Sequence, residues 1–258
     1  MDSPVRPTSR RRLLALAGGF LAAPLVLRRS TALASTGPTD TAWAALAEMM
    51  GEGGLLRRGE PGYREHTRPQ NLRWDLDLPD AVVLPRDPQA IGRAILWARE
   101  QGMPVAARSG GHSYAGSSAG PGLIVNMRRL DGVHFPDPGG EVVELGGGAL
   151  NAGLYAALAD ASRDEDALAI VHGRCSGVGA SAFLMGGGIG FAMRHQGFGC
   201  DGVVGAELVL ADGSIVQCSA GERPDLFWAV RGGGGGNLGI ATRWRVRTWR
   251  SPPVTVFK

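Results

Sequence analysis

The stretch GRCSGVGASAFLMGGGIG, residues 173–190, decides how the rest of the chain is interpreted. It places one thiol, Cys175, among residues so small that a planar ligand can lie directly on the main chain. Glycine lets backbone N–H groups approach a ligand with no Cβ in the way, and it accepts φ > 0. The stretch is therefore typical of a cofactor-binding loop.

A second glycine-rich stretch, RSGGHSYAG at residues 108–116, offers one imidazole, His112, in similar surroundings. The 41 glycines of the 258-residue chain cluster in such short bursts between apolar, strand-like runs. Because each glycine raises the entropy cost of folding, this clustering indicates sites that need close backbone approach. We predict that the two stretches close on one cofactor.

The N-terminus, residues 1–34, has the pattern of an export signal. It contains SRRRLL at residues 9–14, which resembles the twin-arginine pattern, then an apolar run to residue 27 and the small-residue sequence ALA at 32–34. A membrane anchor is the alternative, but the run is shorter than the ~20 residues that span a bilayer. We predict export to the periplasm or the extracellular space, with no stable membrane span after signal removal.

The charge balance changes when the signal is set aside. The chain has a net charge of +3, but residues 1–34 hold six arginines and one aspartate, so the remainder carries 21 basic and 23 acidic groups, net −2. No polybasic patch remains to suggest nucleic acid. The only lysine is Lys258, which excludes a phosphate-binding loop of the G-x-x-x-x-G-K type. No metal site is predicted.

Three cysteines cannot all pair within one monomer. An exported protein could join Cys200 to Cys218. These two residues flank a hairpin that we predict from strands 203–210 and 214–218, and they lie there at offset registers, which disfavours the bond. Cys175 is then unpaired. A free thiol outside the cytoplasm is prone to oxidation unless something already occupies it.

Hydrophobic periodicity predicts an α+β fold of two lobes whose glycine loops face each other. An Asp87-Pro88 pair predicts the start of one helix, which runs to Gly102. Segment 51–79 is predicted to wrap the surface. The other predicted helices are 40–50, 150–160, 180–185 and 224–230, and the predicted strands are 81–84, 104–107, 123–126, 141–145, 203–210, 214–218 and 240–248.

The burst GGGIG at residues 186–190 matches a dinucleotide-binding fingerprint only loosely. Such a fingerprint lies between a strand and a helix, whereas this burst follows a predicted helix. A Rossmann fold is therefore disfavoured.

Four ordered segments carry a more specific resemblance: 108–116, 173–190, 205–213 and 225–234. Their order and spacing resemble the FAD-binding domain of the vanillyl-alcohol oxidase and p-cresol methylhydroxylase (PCMH) superfamily. Within it, the chain is similar to the branch of berberine bridge enzyme and the glucooligosaccharide oxidases.

The resemblance implies a division of the chain into a signal (1–34), a lead segment (35–76), a PCMH-type FAD-binding domain (77–250) and the start of a substrate domain (251–258). In the family the catalytic base lies in the substrate domain. We therefore expect that domain to be missing after Lys258, and no catalytic residue is named.

The resemblance also implies that FAD is attached twice, through His112 to the 8α-methyl group and through Cys175 to C6 of the isoalloxazine. Backbone amides of residues 109–113 would receive the pyrophosphate, while Arg108 either faces the phosphates or pins its loop. The implied cofactor-binding residues are Arg108, Ser109, Gly110, Gly111, His112, Ser113, Tyr114, Gly116, Gly173, Cys175, Gly177, Val178, Gly179, Ser181, Gly188 and Ile240.

Three positions near the implied flavin merit comment. Ala182 stands where a glycine is usual, and Phe183 stands where plant members carry a histidine that supports the flavin N1 region. Val178 is of the type that goes with oxidases in the family, whereas leucine goes with dehydrogenases. The four histidines outside the two loops are interpreted as ordinary, and only His172 lies near Cys175.

The expected function is that of a flavin-dependent oxidase, in which FAD accepts hydride from a bulky alcohol, sugar or phenolic or alkaloid-like substrate and O2 is the acceptor. One alternative is a catalytically incomplete flavin-binding fragment, or half of a split enzyme whose substrate domain is a separate polypeptide. Another is an NADPH-dependent reductase with non-covalent FAD, against which the pair His112 and Cys175 argues.

Overall fold

The computed structural model describes residues 37–76, 78–162 and 167–252. The helices are α1 (Asp40–Met50), α2 (Tyr63–Thr67), α3 (Pro88–Glu100), α4 (Asn151–Ala161), α5 (Ala180–Met185), α6 (Met193–Gln196) and α7 (Pro224–Val230), with 3₁₀ turns at Leu72–Trp74 and Gly199–Gly202. The strands are β1 (Leu55–Arg57), β2 (Ala81–Val83), β3 (Val105–Arg108), β4 (Leu123–Asn126), β5 (Val133–His134), β6 (Val142–Gly146), β7 (Ala167–Ala169), β8 (Val203–Val209), β9 (Ile215–Ser219), β10 (Ile240–Arg247) and β11 (Trp249–Ser251).

The first lobe, α1 to β4, is a four-stranded sheet in the order β1-β2-β4-β3. β4 pairs in parallel with β2 and β3, so each connection must cross over the sheet. Helix α3 makes the first crossover and begins as its sequence predicts, with Asp87 Oδ1 accepting the Ala90 N–H at 2.6 Å. The second crossover leaves β3 at Arg108 and carries the loop 109–116.

The second lobe, β5 to β11, is built on an antiparallel sheet in the order β5-β6-β10-β8-β9. The predicted hairpin is present as β8 and β9, joined by a turn in which Gly213 has φ +81°. Trp244 on β10 is fully buried in the core of this lobe. Strands β7 and β11 form a separate antiparallel pair.

The two lobes share apolar packing. Val209 on β8 and Ile240 on β10 belong to the same buried cluster as residues of α1, α3, β2 and β4. Gly92 of α3 lies against the hairpin turn, where a Cβ on it would be 2.8 Å from the Gly213 carbonyl oxygen. The loops that leave the two sheets are therefore held in a fixed relation.

The predicted α+β class is confirmed, and helices 40–50, 180–185 and 224–230 have the predicted bounds. The expectation that segment 51–79 only wraps the surface is wrong, because β1 pairs with β2 and the side chains of Tyr63 and Thr67 are buried. β1 is three residues long, too short to show an alternating pattern. The predicted signal, residues 163–166 and the residues beyond 252 lie outside the described residues.

Among the described residues, no helix is both long and apolar enough to cross a membrane. All three cysteines are unpaired, with Cys175 exposed and Cys200 and Cys218 buried. The disfavoured bond between Cys200 and Cys218 is thus absent.

Candidate functional site

A cavity of about 430 Å³ lies where the two glycine-rich loops meet. Twelve of the sixteen predicted positions line it: Arg108, Ser109, Gly110, Gly111, His112, Ser113, Tyr114, Cys175, Val178, Gly179, Ser181 and Ile240. Residues far apart in the chain, on loops from different lobes, thus border one space.

The two loops touch through their backbones, and glycine makes this contact possible. A Cβ on Gly110 would overlap the carbonyl oxygen of Gly177 and lie 2.5 Å from the Gly179 nitrogen. In return, a Cβ on Gly179 would overlap the Ser109 side chain. Any larger residue at Gly110 or Gly179 would force the loops apart.

His112 lies in the loop that follows β3 and is partly buried. A Cβ on Gly177 would lie 3.1 Å from His112 Nε2, so this nitrogen is directed at the Cys175 loop. Burial, and then the nearby positive charge of Arg108, lower the pKa of His112. The imidazole is therefore neutral near pH 7, which is the form that acts as a nucleophile.

Arg108 is buried beneath the loop 109–116. Its guanidinium donates to the carbonyl oxygens of Thr67 at 3.2 Å, Arg68 at 2.5 Å and Ser118 at 3.4 Å. Burial lowers its pKa. Of the two roles considered for Arg108, these hydrogen bonds favour pinning of the loop.

Cys175 is an exposed free thiol at the cavity wall, in the turn that precedes α5. On its N-terminal side, His172 Nδ1 lies 3.0 Å from the Gly173 carbonyl oxygen, and the ring of His172 contacts that of Tyr155 at 4.6 Å between centroids. His172 is thus close to the Cys175 loop, as its sequence position suggested, without lining the cavity.

Three further features bear on what the cavity can hold. Ser109 Oγ is buried and has no hydrogen-bond partner among the described residues. Gly235 and Gly236 line the cavity, and a Cβ on either would meet no atom within 4 Å, so the space above them is open. The unpaired Ser109 hydroxyl could bond a polar ligand, the backbone at Gly235 and Gly236 leaves room for one, and Cys175 offers a free thiol. These features fit the FAD that the motifs imply.

Four predicted positions do not line the cavity. Gly116 packs against Trp74, where a Cβ would lie 2.5 Å from the ring, and Gly188 packs against Phe183 at 2.6 Å. Gly173 also lies against Phe183, and Gly177 lies against the His112 ring. These glycines shape the loops, and their contact with a cofactor stays a prediction.

Twelve lining residues were not predicted as cofactor-binding. Ser117 lies directly after the first loop and is followed by Ser118, while Gly235 and Gly236 directly follow the segment 225–234 that carries the resemblance, so both pairs adjoin a recognised motif. The others are Ala107, Met127, Gly147, Ala182, Phe183, Met185, Gly239 and Ala241. Ala182 and Phe183, singled out as family departures, therefore do face the site.

Comparison with known proteins gives a consistent result. Residues 79–219 match the model of the FAD binding domain family. The chain is 38% identical over 199 residues to berberine bridge enzyme-like C-1 of Nicotiana tabacum, covering 73% of this chain and 34% of that protein. The resemblance found from the motifs is confirmed.

Solved structures agree with the sequence comparison. Glucooligosaccharide oxidase from Acremonium strictum, described as carrying 6-S-cysteinyl, 8α-N1-histidyl FAD, matches with a TM-score of 0.73 and 32% identity over 82% of this chain and 43% of its own. Two variants of Phl p 4 match with TM-scores of 0.72 and 27–28% identity over 81–82% of this chain and 44% of theirs. Both variants share an asparagine-to-histidine change; one is described as a glucose dehydrogenase, and the other, with a further isoleucine-to-valine change, as a glucose oxidase.

The chain spans less than half the length of each of these relatives. What it shares with them is the part that carries the two loops, since the family match runs from before β2 to the end of β9. The chain belongs to the FAD-binding domain family.

Proposed function

We propose that this chain holds FAD through two covalent bonds, from His112 to the 8α-methyl group and from Cys175 to C6. The protein that contains it is an oxidase acting on a bulky alcohol, a sugar or a phenolic or alkaloid-like compound, with O2 as acceptor. The observation that carries the proposal is that His112 and Cys175 border one cavity from two loops in direct backbone contact.

The chain's own residues have suitable chemistry for this attachment. His112 has a lowered pKa and so offers a neutral imidazole. Cys175 is unpaired and exposed at the cavity wall. FAD, when bound, supplies the acceptor for the substrate's hydride. The solved glucooligosaccharide oxidase, with the same pair of linkages in its description, supports both the attachment and an oligosaccharide-like substrate.

Val178 supports dioxygen as the acceptor. It lines the cavity on the Cys175 loop. In Phl p 4, a single isoleucine-to-valine change accompanies the difference between variants described as a glucose dehydrogenase and a glucose oxidase. A valine at the cavity wall of this chain is in keeping with use of O2.

Two parts of the proposal concern the whole protein. The region that corresponds to the rest of the relatives' length, in the same or a separate polypeptide, would provide the substrate sheet and the catalytic base.

The twin-arginine pattern of residues 1–34 supports export. Because that route carries folded proteins, the cofactor can be installed before export. In this proposal, residues 35–76 form the lead segment and residues 77–250 the FAD-binding domain.

Denaturing electrophoresis tests the attachment, because covalent flavin remains fluorescent on the unfolded chain. We expect fluorescence from the unmodified protein and from His112→Ala and Cys175→Ala singly, and none from the double variant. The matched control is His195→Ala, an exposed histidine outside the cavity, which should behave as the unmodified protein. Complete release of flavin from the unmodified chain would refute the proposal.

A further inference from the structure

We propose that Asn151 and Tyr155, one turn apart on α4, form a clamp that positions Cys175 for attachment to the flavin. The inference rests on the proposed function, because it concerns how the second covalent bond forms. Neither residue lines the cavity, so both are positioning residues that act through the backbone of the Cys175 loop.

Asn151 is the stronger half of the clamp. Its side chain is fully buried, and Nδ2 donates to the carbonyl oxygen of Cys175 at 3.0 Å. The first turn of α4 adds two more bonds, from Asn151 N–H to Val178 O and from Ala152 N–H to Ser176 O, each at 3.0 Å. Three carbonyl groups of the Cys175 turn therefore point at the start of one helix.

Tyr155 bonds the backbone on the N-terminal side of Cys175. It lies four residues after Asn151, so both side chains project from the same face of α4. Its hydroxyl donates to the carbonyl oxygen of Gly173. Burial, and then the electrostatic interaction with Cys175, raise the pKa of Tyr155, so the phenol keeps its proton and stays a donor.

The clamp fixes the direction of the sulfur. Each peptide group is planar, so the bond to the Cys175 carbonyl holds the peptide that directly follows the Cys175 Cα. The bond to the Gly173 carbonyl holds the peptide between Gly173 and Arg174, one residue before Cys175. The Cys175 side chain is an exposed, unpaired thiol, and the hydrogen bond from Asn151 goes to its backbone carbonyl rather than to its sulfur. Since bonds between reacting groups need placement within about 0.5 Å, the backbone must provide this orientation.

Asn151 also has an unfavourable effect on stability that packing alone does not explain. Asn151 Oδ1 is buried and has no partner among the described residues. An unpaired buried amide oxygen destabilises a protein, whereas leucine could fill a similar volume without that penalty. A role in orienting the Cys175 loop accounts for the polar side chain at this position.

The attachment of Cys175 to the flavin is a two-electron oxidation. Cys175 Sγ gives up its proton and bonds to flavin C6, and C6 loses its hydrogen. The two electrons removed pass to O2, which takes up two protons and leaves as hydrogen peroxide. Asn151 and Tyr155 exchange no proton or electron in this step.

The test compares Asn151→Leu and Tyr155→Phe with the unmodified protein and with Asp160→Asn, an exposed position near the end of α4. Protein made without flavin is mixed with FAD in air, and peptide mass spectrometry follows flavin at Cys175 and at His112 over time. We expect Asn151→Leu to slow attachment at Cys175 by about tenfold, the size expected for one lost hydrogen bond. Tyr155→Phe should slow it severalfold, and attachment at His112 should stay unchanged in both variants.

The outcomes separate the two proposals. If the unmodified protein carries flavin at both residues and the variants attach it at unchanged rates, the clamp is wrong and the proposed function stands. If the unmodified protein never acquires flavin at Cys175, both proposals fail. A parallel loss at His112 and Cys175 would show a general structural defect and overturn the clamp. Should Asn151→Leu not fold, Tyr155→Phe decides the question alone, because phenylalanine keeps the ring.

Discussion

Val178 lines the cavity on the loop that carries Cys175, and it is half-buried. If the proposed function is right, a side chain there either leaves or fills the space that O2 would need beside the flavin. We predict that Val178→Leu slows the reoxidation of chemically reduced flavin in air at least tenfold without loosening the flavin. Stopped-flow absorbance at matched oxygen concentration measures this rate. Equal rates for the two proteins would mean that Val178 only packs the loop and that O2 use depends on other residues.

His112 predicts a pH dependence of stability. Burial and Arg108 lower its pKa in the folded protein below the unfolded value of about 6.5. The unfolded chain therefore binds the proton more readily, so the contribution of His112 is fully present above about pH 6.5 and is lost as the pH falls through the lowered pKa.

The measurement is urea unfolding of flavin-free protein at pH 7.5 and pH 5.5, for the unmodified chain and His112→Asn. The unmodified protein should lose more stability on acidification than the variant. His66, whose pKa is also lowered, mainly by burial, contributes in the same direction to both proteins and cancels in the comparison. An equal loss in both would show that His112 titrates as a solvent-exposed group.

At the scale of elements, the contact of the two loops makes Gly110 the sensitive position. A Cβ there would overlap the Gly177 carbonyl oxygen, and the opposing atoms are backbone that cannot rotate away. We predict that Gly110→Ala destabilises the protein by about 1–3 kcal/mol and abolishes flavin retention. The control is Gly153→Ala in α4, where a Cβ meets nothing within 4 Å and helix propensity should add about 0.5–1 kcal/mol. Denaturant unfolding and flavin fluorescence check both, and a stable, flavin-bearing Gly110→Ala would contradict the loop contact.

The elements also show which parts of the fold were accessible from sequence. Helix α3 could be predicted because its signals are local: the Asp87 cap, a proline at the first helical position and an apolar face. The site loops could be predicted from glycine patterns around one histidine and one cysteine. Strand β1 could not, because a three-residue strand depends on its pairing with β2. The hydrogen bond from Asn151 to Cys175 could not be predicted either, because it joins residues 24 positions apart and produces no periodic sequence pattern.

At the scale of the whole molecule, the cavity exists because the two lobes are held together by a shared core. Val209 and Ile240 of the second lobe pack in the same buried cluster as Ile91 and Val125 of the first. Each lobe alone would expose apolar surface at this boundary. We therefore expect residues 37–252 to unfold in one cooperative step, with coincident transitions in far-ultraviolet circular dichroism and tryptophan fluorescence.

Gly92 tests this coupling, because two effects of opposite sign compete there. Gly92 lies inside α3, where alanine would favour the helix by about 0.5–1 kcal/mol. A Cβ at this position, however, would lie 2.8 Å from the Gly213 carbonyl oxygen, which belongs to the hairpin turn of the other lobe. Displacing that turn should cost about 1–3 kcal/mol, so we predict a net loss of stability for Gly92→Ala, opposite in sign to Gly153→Ala. Hydrogen exchange should then show faster opening of β8 and β9 as well as α3; a stabilised variant, or faster exchange confined to α3, would mean that the lobes pack independently.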